Sequence, residues 1–393
     1  MTTATRPVTI LAERHAQRWF PILYRHTDGS LLLYVQHGYD GNFSPVHRLR
    51  SIDQGKSWHE EQENTPRTAW AHSFSDGQLL EIDTYGAALK AEDDCWIYYA
   101  SWSVPGSTRT AERRFMKVHA PSLGHYPLTG VHGYPSYPWW DLFNESVGKA
   151  EASKSEIGWR GAVFTGMCEV DGRLVAVAYG YHKEDIALVT NQGKHLYSVL
   201  CFESHDRGVS WQEIGMVARG TIDTSEGFNE ASLTILPDGR FYSIIRGGDF
   251  LYHSWSQDGR EWTPPVVMPT VGGEQPRRVW PFCIRTTGNA LVAVYGRPGK
   301  KLIIDRTGTG TCWEPLFDLH EWELKTQEMN GVPPELRLRG NTDACIRFWD
   351  SSDYLGLADG GDGYLYLTYD VQNYLENWNS YPVSAVRLVR IAI

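Results

Sequence analysis

The sequence predicts an all-β chain built from a repeated strand–turn–strand unit. Three observations carry that expectation. An eight-residue pattern, Ser-x-Asp-x-Gly-x-x-Trp, recurs along the chain. Pairs of apolar runs joined by Asp-Gly or another glycine turn recur beside it. The composition is rich in aromatics and turn formers, with 16 Trp, 21 Tyr, 13 Phe, 38 Gly and 20 Pro in 393 residues, which suits short strands and frequent turns.

The pattern is complete at Ser51–Trp58 and at Ser204–Trp211. Ser256–Trp262 is a copy one residue shorter, and Gly310–Trp313 keeps only the end. The tryptophans at 58, 211, 262 and 313 are separated by 153, 51 and 51 residues, so the first gap is three times the others. Each residue type has a local task. Asp and Ser accept backbone N–H bonds across a tight turn, Gly takes the positive φ that closes it, and Trp covers the turn and packs between sheets. Asp53, Asp206 and Asp258 are therefore expected to be turn residues.

The hairpin units follow in chain order. Ile22–Leu33 turns at Asp28-Gly29, and Leu79–Tyr99 flanks Lys90–Asp94. Met167–Val175 turns at Asp171-Gly172, and Leu233–Phe241 at Asp238-Gly239. Cys283–Val294 turns at Gly288-Asn289, and Tyr354–Tyr369 at Asp362-Gly363. Each reads as two apolar strands joined by a hairpin turn. The segment 121–159, rich in Pro, Tyr, Trp and Gly and holding Trp139-Trp140, reads as an insertion, as does 318–341. Pro7–Glu13 is expected to pair with Val383–Ile393 and remove an open sheet edge. Helical periodicity is weak apart from a short stretch at 150–156.

The repeated pattern is the Asp-box, and the chain resembles the sialidase (neuraminidase) superfamily of β-propellers. The resemblance implies a single propeller domain over 1–393. Six hairpin units give a six-bladed β-propeller of about 65 residues per blade. Seven blades of about 51 residues also fit the tryptophan spacing. Six is preferred because 102–160 shows no second hairpin of the right kind.

Composition bounds the partners. The formal net charge is −10, which disfavours nucleic acid. No apolar run approaches the ~20 residues of a membrane span. Met1–Ile10 has one Arg and no apolar core, so no secretory leader is visible; the expectation is a cytoplasmic protein, or a secreted one that has lost its leader. Cys95, Cys168, Cys201, Cys283, Cys312 and Cys345 form no CxxC pair, which disfavours zinc and fits buried free thiols. Glu92-Asp93-Asp94 reads as a hairpin tip, and Gly360-Gly361 as a turn. No metal or nucleotide cofactor is expected.

Propeller sites lie at one end of the axis, on the first strands and the loops between blades. Glu230 opens one strand and Arg246 ends the next, so a hairpin brings both to the same end. This looks like the sialidase segment whose Glu activates a tyrosine and whose Arg holds a substrate carboxylate. Tyr354, in Asp353-Tyr354-Leu355-Gly356-Leu357, resembles the segment carrying the nucleophilic tyrosine, although Leu355 replaces the usual Ser. Arg297, in Tyr295-Gly296-Arg297-Pro298, falls where another carboxylate-binding Arg is implied. Lys300 or Lys301 fit that role less well, because an ammonium lacks the two-pronged grip of guanidinium. Arg277 and Arg278 are further candidates.

The resemblance also implies an Arg two residues before Pro near the start. Here Arg18 stands three before Pro21, and one residue of slip turns a strand side chain to the other face. Either a bulge restores Arg18 or that arm of the clamp is missing. The acid/base Asp is assigned to Asp40, with Asp83 as the alternative; Asp40 precedes Gly41 and also reads as an ordinary turn residue.

These residues suit an acidic oligosaccharide. Two or three Arg would clamp its carboxylate. A neutral Tyr phenol with a Glu base would avoid the repulsion that a carboxylate nucleophile meets, and an Asp would protonate the leaving oxygen. A second reading is a lyase that eliminates across a uronate with His182, Tyr181 and His37, or a rhamnose–uronate glycosidase. A third is a glycan-binding propeller without catalysis.

Overall fold

The computed structural model describes residues 3–13, 18–37, 46–61, 70–82, 89–90, 94–124, 156–157, 162–191, 196–297, 299–338, 351–372 and 384–393. Within them the apolar runs form strands and the glycine turns connect them. β1 (Val8–Glu13) comes first. β2 (Arg18–Arg25), β3 (Leu31–His37), β4 (Val46–Ser51) and β5 (His59–Glu60) make a four-stranded antiparallel sheet. A ten-stranded sheet follows. Its first part holds β6 (Trp70–Ser73), β7 (Leu79–Ile82), β8 (Leu89–Lys90), β9 (Cys95–Ser103), β10 (Thr110–His119) and β11 (Glu156–Ile157). Its second holds β12 (Val163–Val170), β13 (Arg173–Tyr181), β14 (Tyr197–Ser204) and β15 (Ser210–Ala218). β10 runs parallel to β15, with Lys117 opposite Ser210 and His119 opposite Gln212, and this seam joins the two parts.

β16 (Asn229–Ile235), β17 (Phe241–Gly247), β18 (Phe250–Ser256) and β19 (Val266–Val267) form the next four-stranded sheet. β20 (Phe282–Arg285), β21 (Leu291–Gly296), β22 (Lys300–Asp305) and β23 (Glu314–Asp318) form another. Helix α1 (Leu319–Thr326) follows, then β24 (Leu355–Asp359), β25 (Tyr364–Gln372) and β26 (Ser384–Ala392). β1 pairs antiparallel with β26, Val8 opposite Leu388, so the first strand completes the last sheet as the sequence suggested.

The arrangement is propeller-like: four small sheets and one larger one stand around an axis. β2, β6, β12, β16, β20 and β24 line an axial cavity of about 570 Å³, through Tyr24, Ala71, Met167, Thr234, Ile284 and Ala358 among others. The inner strands approach one another closely. A Cβ on Gly166 would lie 2.7 Å from the Leu233 nitrogen, and one on Gly356 2.7 Å from the Leu23 nitrogen. Between sheets the strands are buried on both faces. Val292, Val294, Leu302, Leu357, Leu365 and Leu367 form one such layer, each contributing about 1.5–3 kcal/mol by burial.

The Asp-Gly-Trp turns close as their chemistry requires. Asp206 Oδ1 accepts from the Ser210 N–H at 2.8 Å, Ser204 Oγ accepts from the Gly208 N–H at 2.8 Å, and the Trp211 indole donates to the Gly208 carbonyl at 3.1 Å. The Ser51 and Ser256 copies repeat the indole bond. The degraded copy keeps it as well, Trp313 to Gly310 at 2.9 Å. There Asp305, at the end of β22, takes over and accepts from the N–H groups of Gly310, Thr311 and Cys312.

Several details differ from expectation. The second hairpin unit has its inner strand at β6, joined to β7 through Ser75-Asp76-Gly77; four residues without alternation give a weak sequence signal. The outer hairpin of that unit, β9 to β10, begins at Cys95 and runs on into 102–160 as far as His119. Cys201 and Cys283 are free and buried, but Cys95 and Cys168 are half-buried and Cys312 is exposed. Most of 121–159, including 150–155 of the stretch at 150–156, lies outside the described residues, although Glu156 and Ile157 pair with β8. The 318–341 insertion contains α1, capped by Asp318 accepting from the Glu321 N–H. Its Glu323 forms a fully buried ion pair with Arg387.

Candidate active site

The hairpin β16–β17 places Asn229 opposite Arg246. Arg246 Nη1 donates to Glu230 Oε1 at 2.8 Å across that register. Tyr354, just before β24, reaches the same oxygen: its hydroxyl donates to Glu230 Oε1 at 3.1 Å. The other carboxylate oxygen, Oε2, accepts from the Trp280 backbone N–H at 3.0 Å. Glu230 is thus fixed at both oxygens, and it is only 6 % exposed. Glu226 adds a second carboxylate 3.7 Å from Arg246 Nη2. Burial alone would favour the neutral guanidine, but Glu230, Tyr354 and Glu226 outweigh it, and the Arg246 pKa is raised.

Arg297 approaches Tyr354 through the ring rather than the hydroxyl. Its guanidinium sits 5.5 Å over the phenol ring, within cation–π range, and Nη2 donates to the Ser352 carbonyl at 2.9 Å. Phe20 meets the Tyr354 ring edge-to-face with centroids 4.5 Å apart, and Trp280 does so at 6.0 Å. Trp280 in turn stacks on Trp70 at 5.2 Å. Trp70 and Phe282 also line the axial cavity. The aromatic layer therefore divides the Glu230–Tyr354 end of the axis from the cavity, which extends toward Arg25, Ser73, Ile235 and Arg285 at the far ends of the inner strands.

The backbone here is held in an uncommon state. Phe20, Glu230, Trp280, Arg297 and Asp353 all have positive φ, at 57°, 45°, 30°, 58° and 61°. Non-glycine residues adopt such values at a cost of order 1–3 kcal/mol each, and such strain concentrates at functional sites. At Glu230 and Phe20 it coincides with a register shift, between Asn229 and Ser232 and between Trp19 and Ile22. These irregularities aim the side chains at the axis end; no composition signal announces them.

The structure therefore brings Glu230, Arg246, Arg297 and Tyr354 together. Arg18 has a different partner. An irregularity does follow it in β2, but its guanidinium bonds to Glu13, Nε to Oε2 at 2.8 Å, and no described contact joins it to Glu230, Arg246, Arg297 or Tyr354. Phe20 instead occupies the wall beside Tyr354. Arg278 pairs with Asp249 at 2.6 Å, and Arg277 lies over Phe250. Lys301 pairs with Glu274, while Lys300 is fully buried and faces Asp353 at 3.7 Å. Neither lysine takes the role of a second anion clamp.

His182 lies 3.8 Å from Asp185, and the Tyr181 hydroxyl donates to Tyr197 at 3.0 Å, both at the end of β13. Asp40, Asp83 and the side chain of His37 lie outside the described residues. Glu226, Trp280, Phe20 and Asp353 are site neighbours that motif reasoning did not select. Among the described residues no group of three or more His, Cys, Asp or Glu is arranged to hold a metal ion, and no helix is long and apolar enough to cross a membrane.

No family model and no curated protein matches the sequence. Solved structures do match in fold. A protein of unknown function from Dyadobacter fermentans superposes with a TM-score of 0.62 at 16 % identity, over 98 % of both chains. A Penicillium chrysogenum α-L-arabinanase, solved with arabinobiose, gives 0.56 at 16 % identity, also over 98 % of both chains. A NanB sialidase variant from Streptococcus pneumoniae gives 0.52 at 10 % identity, covering 96 % of this chain and 68 % of that one. At these identities the likeness is one of fold, and it is a sialidase-like propeller fold.

Proposed function

We propose that the chain is a single six-bladed propeller and a glycoside hydrolase of the sialidase type, removing a terminal acidic sugar from a glycan through a tyrosyl intermediate. The observation that carries the reading is the Tyr354–Glu230 hydrogen bond of 3.1 Å, inside a frame of two arginines. Tyr354 Oη attacks the anomeric carbon while Glu230 takes the phenol proton. The bond from that carbon to the leaving oxygen breaks, and the departing oxygen takes a proton from a general acid. The assignment of that acid is Asp40, which rests on the resemblance alone. Water then attacks the anomeric carbon, the acid acting as base, and the Tyr354 phenolate leaves and recovers its proton from Glu230. Two displacements give net retention of configuration. Arg246 and Arg297 flank the phenol and would hold the sugar carboxylate.

A neutral sugar is the second reading, and two observations favour it. Arg18 is bound to Glu13, and Phe20 with Trp280 builds an apolar wall beside Tyr354. The fold likeness to an arabinanase makes arabinofuranosides part of the test. The experiment is a panel of sialosides, uronate oligosaccharides, rhamnosides and arabinofuranosides. The reading expects a reducing sugar without an ultraviolet-absorbing product, and loss of turnover in a folded Tyr354→Phe variant. An absorbing unsaturated product would point to elimination instead, and full activity of Tyr354→Phe would remove the proposed nucleophile. Preference for arabinofuranosides would remove the carboxylate clamp and leave the tyrosine mechanism in place.

A further inference from the structure

Behind Tyr354 lies a buried polar cluster that the reaction as written does not use. Lys300, the first residue of β22, is fully buried. Its ammonium lies 3.7 Å from Asp353 Oδ1 and 3.4 Å from His320 Nδ1, with the Tyr369 ring centroid at 5.8 Å. Asp370, also fully buried, accepts from Ser351 Oγ at 3.0 Å, from Ser352 Oγ at 2.7 Å and from the Ser352 N–H at 2.9 Å. The segment 351–354 therefore hangs on Asp370 and carries a carboxylate of its own, Asp353, with Lys300 beside it.

A lysine in this place is costly. Removing an ammonium from water costs several kcal/mol, and an apolar side chain of similar size would often be as stable or more so. The geometry gives the charge a specific task. Asp353 sits at φ 61° immediately before Tyr354, a conformation that must be held from outside. Its carbonyl and Cβ lie against Gly296, where an added Cβ would come within 2.5 Å of the carbonyl oxygen. From the same β21–β22 turn, Arg297 bonds the Ser352 carbonyl. The turn thus grips 351–354 at three points: Gly296, Arg297 and Lys300.

We infer that Lys300 is a positioning residue, whose ammonium holds the Asp353 carboxylate and so fixes the Tyr354 phenol on Glu230. This rests on the tyrosine-nucleophile reading, but its test does not depend on turnover alone. Lys300→Met keeps length and removes charge. 3-Fluorotyrosine placed at 354 reports the phenol's surroundings by fluorine NMR in the folded protein. The expected result is a shifted or doubled fluorine resonance in Lys300→Met, and a kcat lowered by about 10–100-fold with KM within threefold, since a misplacement near 1 Å costs rate rather than binding. A merely structural lysine would lower the urea midpoint and leave both readouts where they were.

Should Lys300→Met not fold, Asp353→Asn, which keeps the shape and removes the other charge, is read by the same two measurements. An unmoved fluorine resonance in a folded variant overturns the inference whatever the activity. A moved resonance with unchanged kcat overturns it too. If the unaltered protein hydrolyses no glycoside, the functional reading fails, and the fluorine signal still decides whether Lys300 positions the phenol.

Discussion

Replacing Glu230 with glutamine removes one charge and almost no volume. Three contacts converge on that carboxylate: Arg246 at 2.8 Å, the Trp280 N–H at 3.0 Å and the Tyr354 hydroxyl at 3.1 Å. An amide accepts hydrogen bonds through one oxygen only and takes no proton from the phenol. Loss of a positioned general base lowers the rate by roughly 10²–10⁴-fold, or about 3–5 kcal/mol of transition-state stabilisation at 1.36 kcal/mol per tenfold. Stability falls by a smaller amount. Breaking a buried pair costs roughly 3–5 kcal/mol, but Glu226 remains 3.7 Å from Arg246, so a loss of about 2 kcal/mol is expected. The assay is steady-state hydrolysis of aryl glycosides with good and poor leaving groups, alongside urea unfolding. Because Glu230 acts on the nucleophile, the defect persists with the good leaving group. A folded Glu230→Gln variant within tenfold of the normal kcat, or one rescued by the activated substrate, would refute the assignment.

Two further predictions address the scaffold. Asp206 holds the Ser204–Trp211 turn on the rim, and its hydrogen bonds from Ser210 and Ser204 outweigh burial and keep its carboxyl below the usual range. Asp206→Ala should lower the unfolding free energy at neutral pH by about 1 kcal/mol, given the exposure of the site, without changing kcat; the difference should shrink as pH falls through the folded-state pKa, and a changed kcat would contradict the rim assignment. Asp353 behaves oppositely. Burial pushes its carboxyl up to about 6, against the pull of Lys300 and Arg297. The folded state therefore binds that proton more tightly than the unfolded chain, and the associated stability, present below pH 4, is lost as pH rises to about 6. The unfolding free energy of the native protein relative to Asp353→Asn should drop by roughly 2–3 kcal/mol between pH 4 and pH 7; parallel pH curves would contradict it.

Much of the fold was legible because its signals are local. A Ser-x-Asp-x-Gly-x-x-Trp turn is written entirely in eight consecutive residues, and Glu230 and Arg246 meet through one hairpin. What was not legible depends on long-range placement. The parallel seam of β10 and β15 joins segments about 90 residues apart, and no composition marks it. Asp305 serves the degraded Trp313 turn from the strand end, five residues before Gly310, outside the pattern's own spacing. Arg18 illustrates the limit at the site. The irregularity in β2 was foreseeable from Pro21, but the choice between Glu13 and the axis was not. Lys300 read only as a weaker alternative to Arg297 in the anion clamp, because only the fold brings Asp353 and His320 to it.

If Tyr354 forms the bond to the sugar, that bond can be trapped and located. A 2-deoxy-2-fluoro glycosyl fluoride of whichever sugar class the protein hydrolyses slows the second displacement and lets the intermediate accumulate. Digestion and mass spectrometry then locate the added mass. The added mass is expected on Tyr354, with none in Tyr354→Phe. Label on Glu226, Glu230 or another carboxylate, from a protein that turns the parent sugar over, would contradict it.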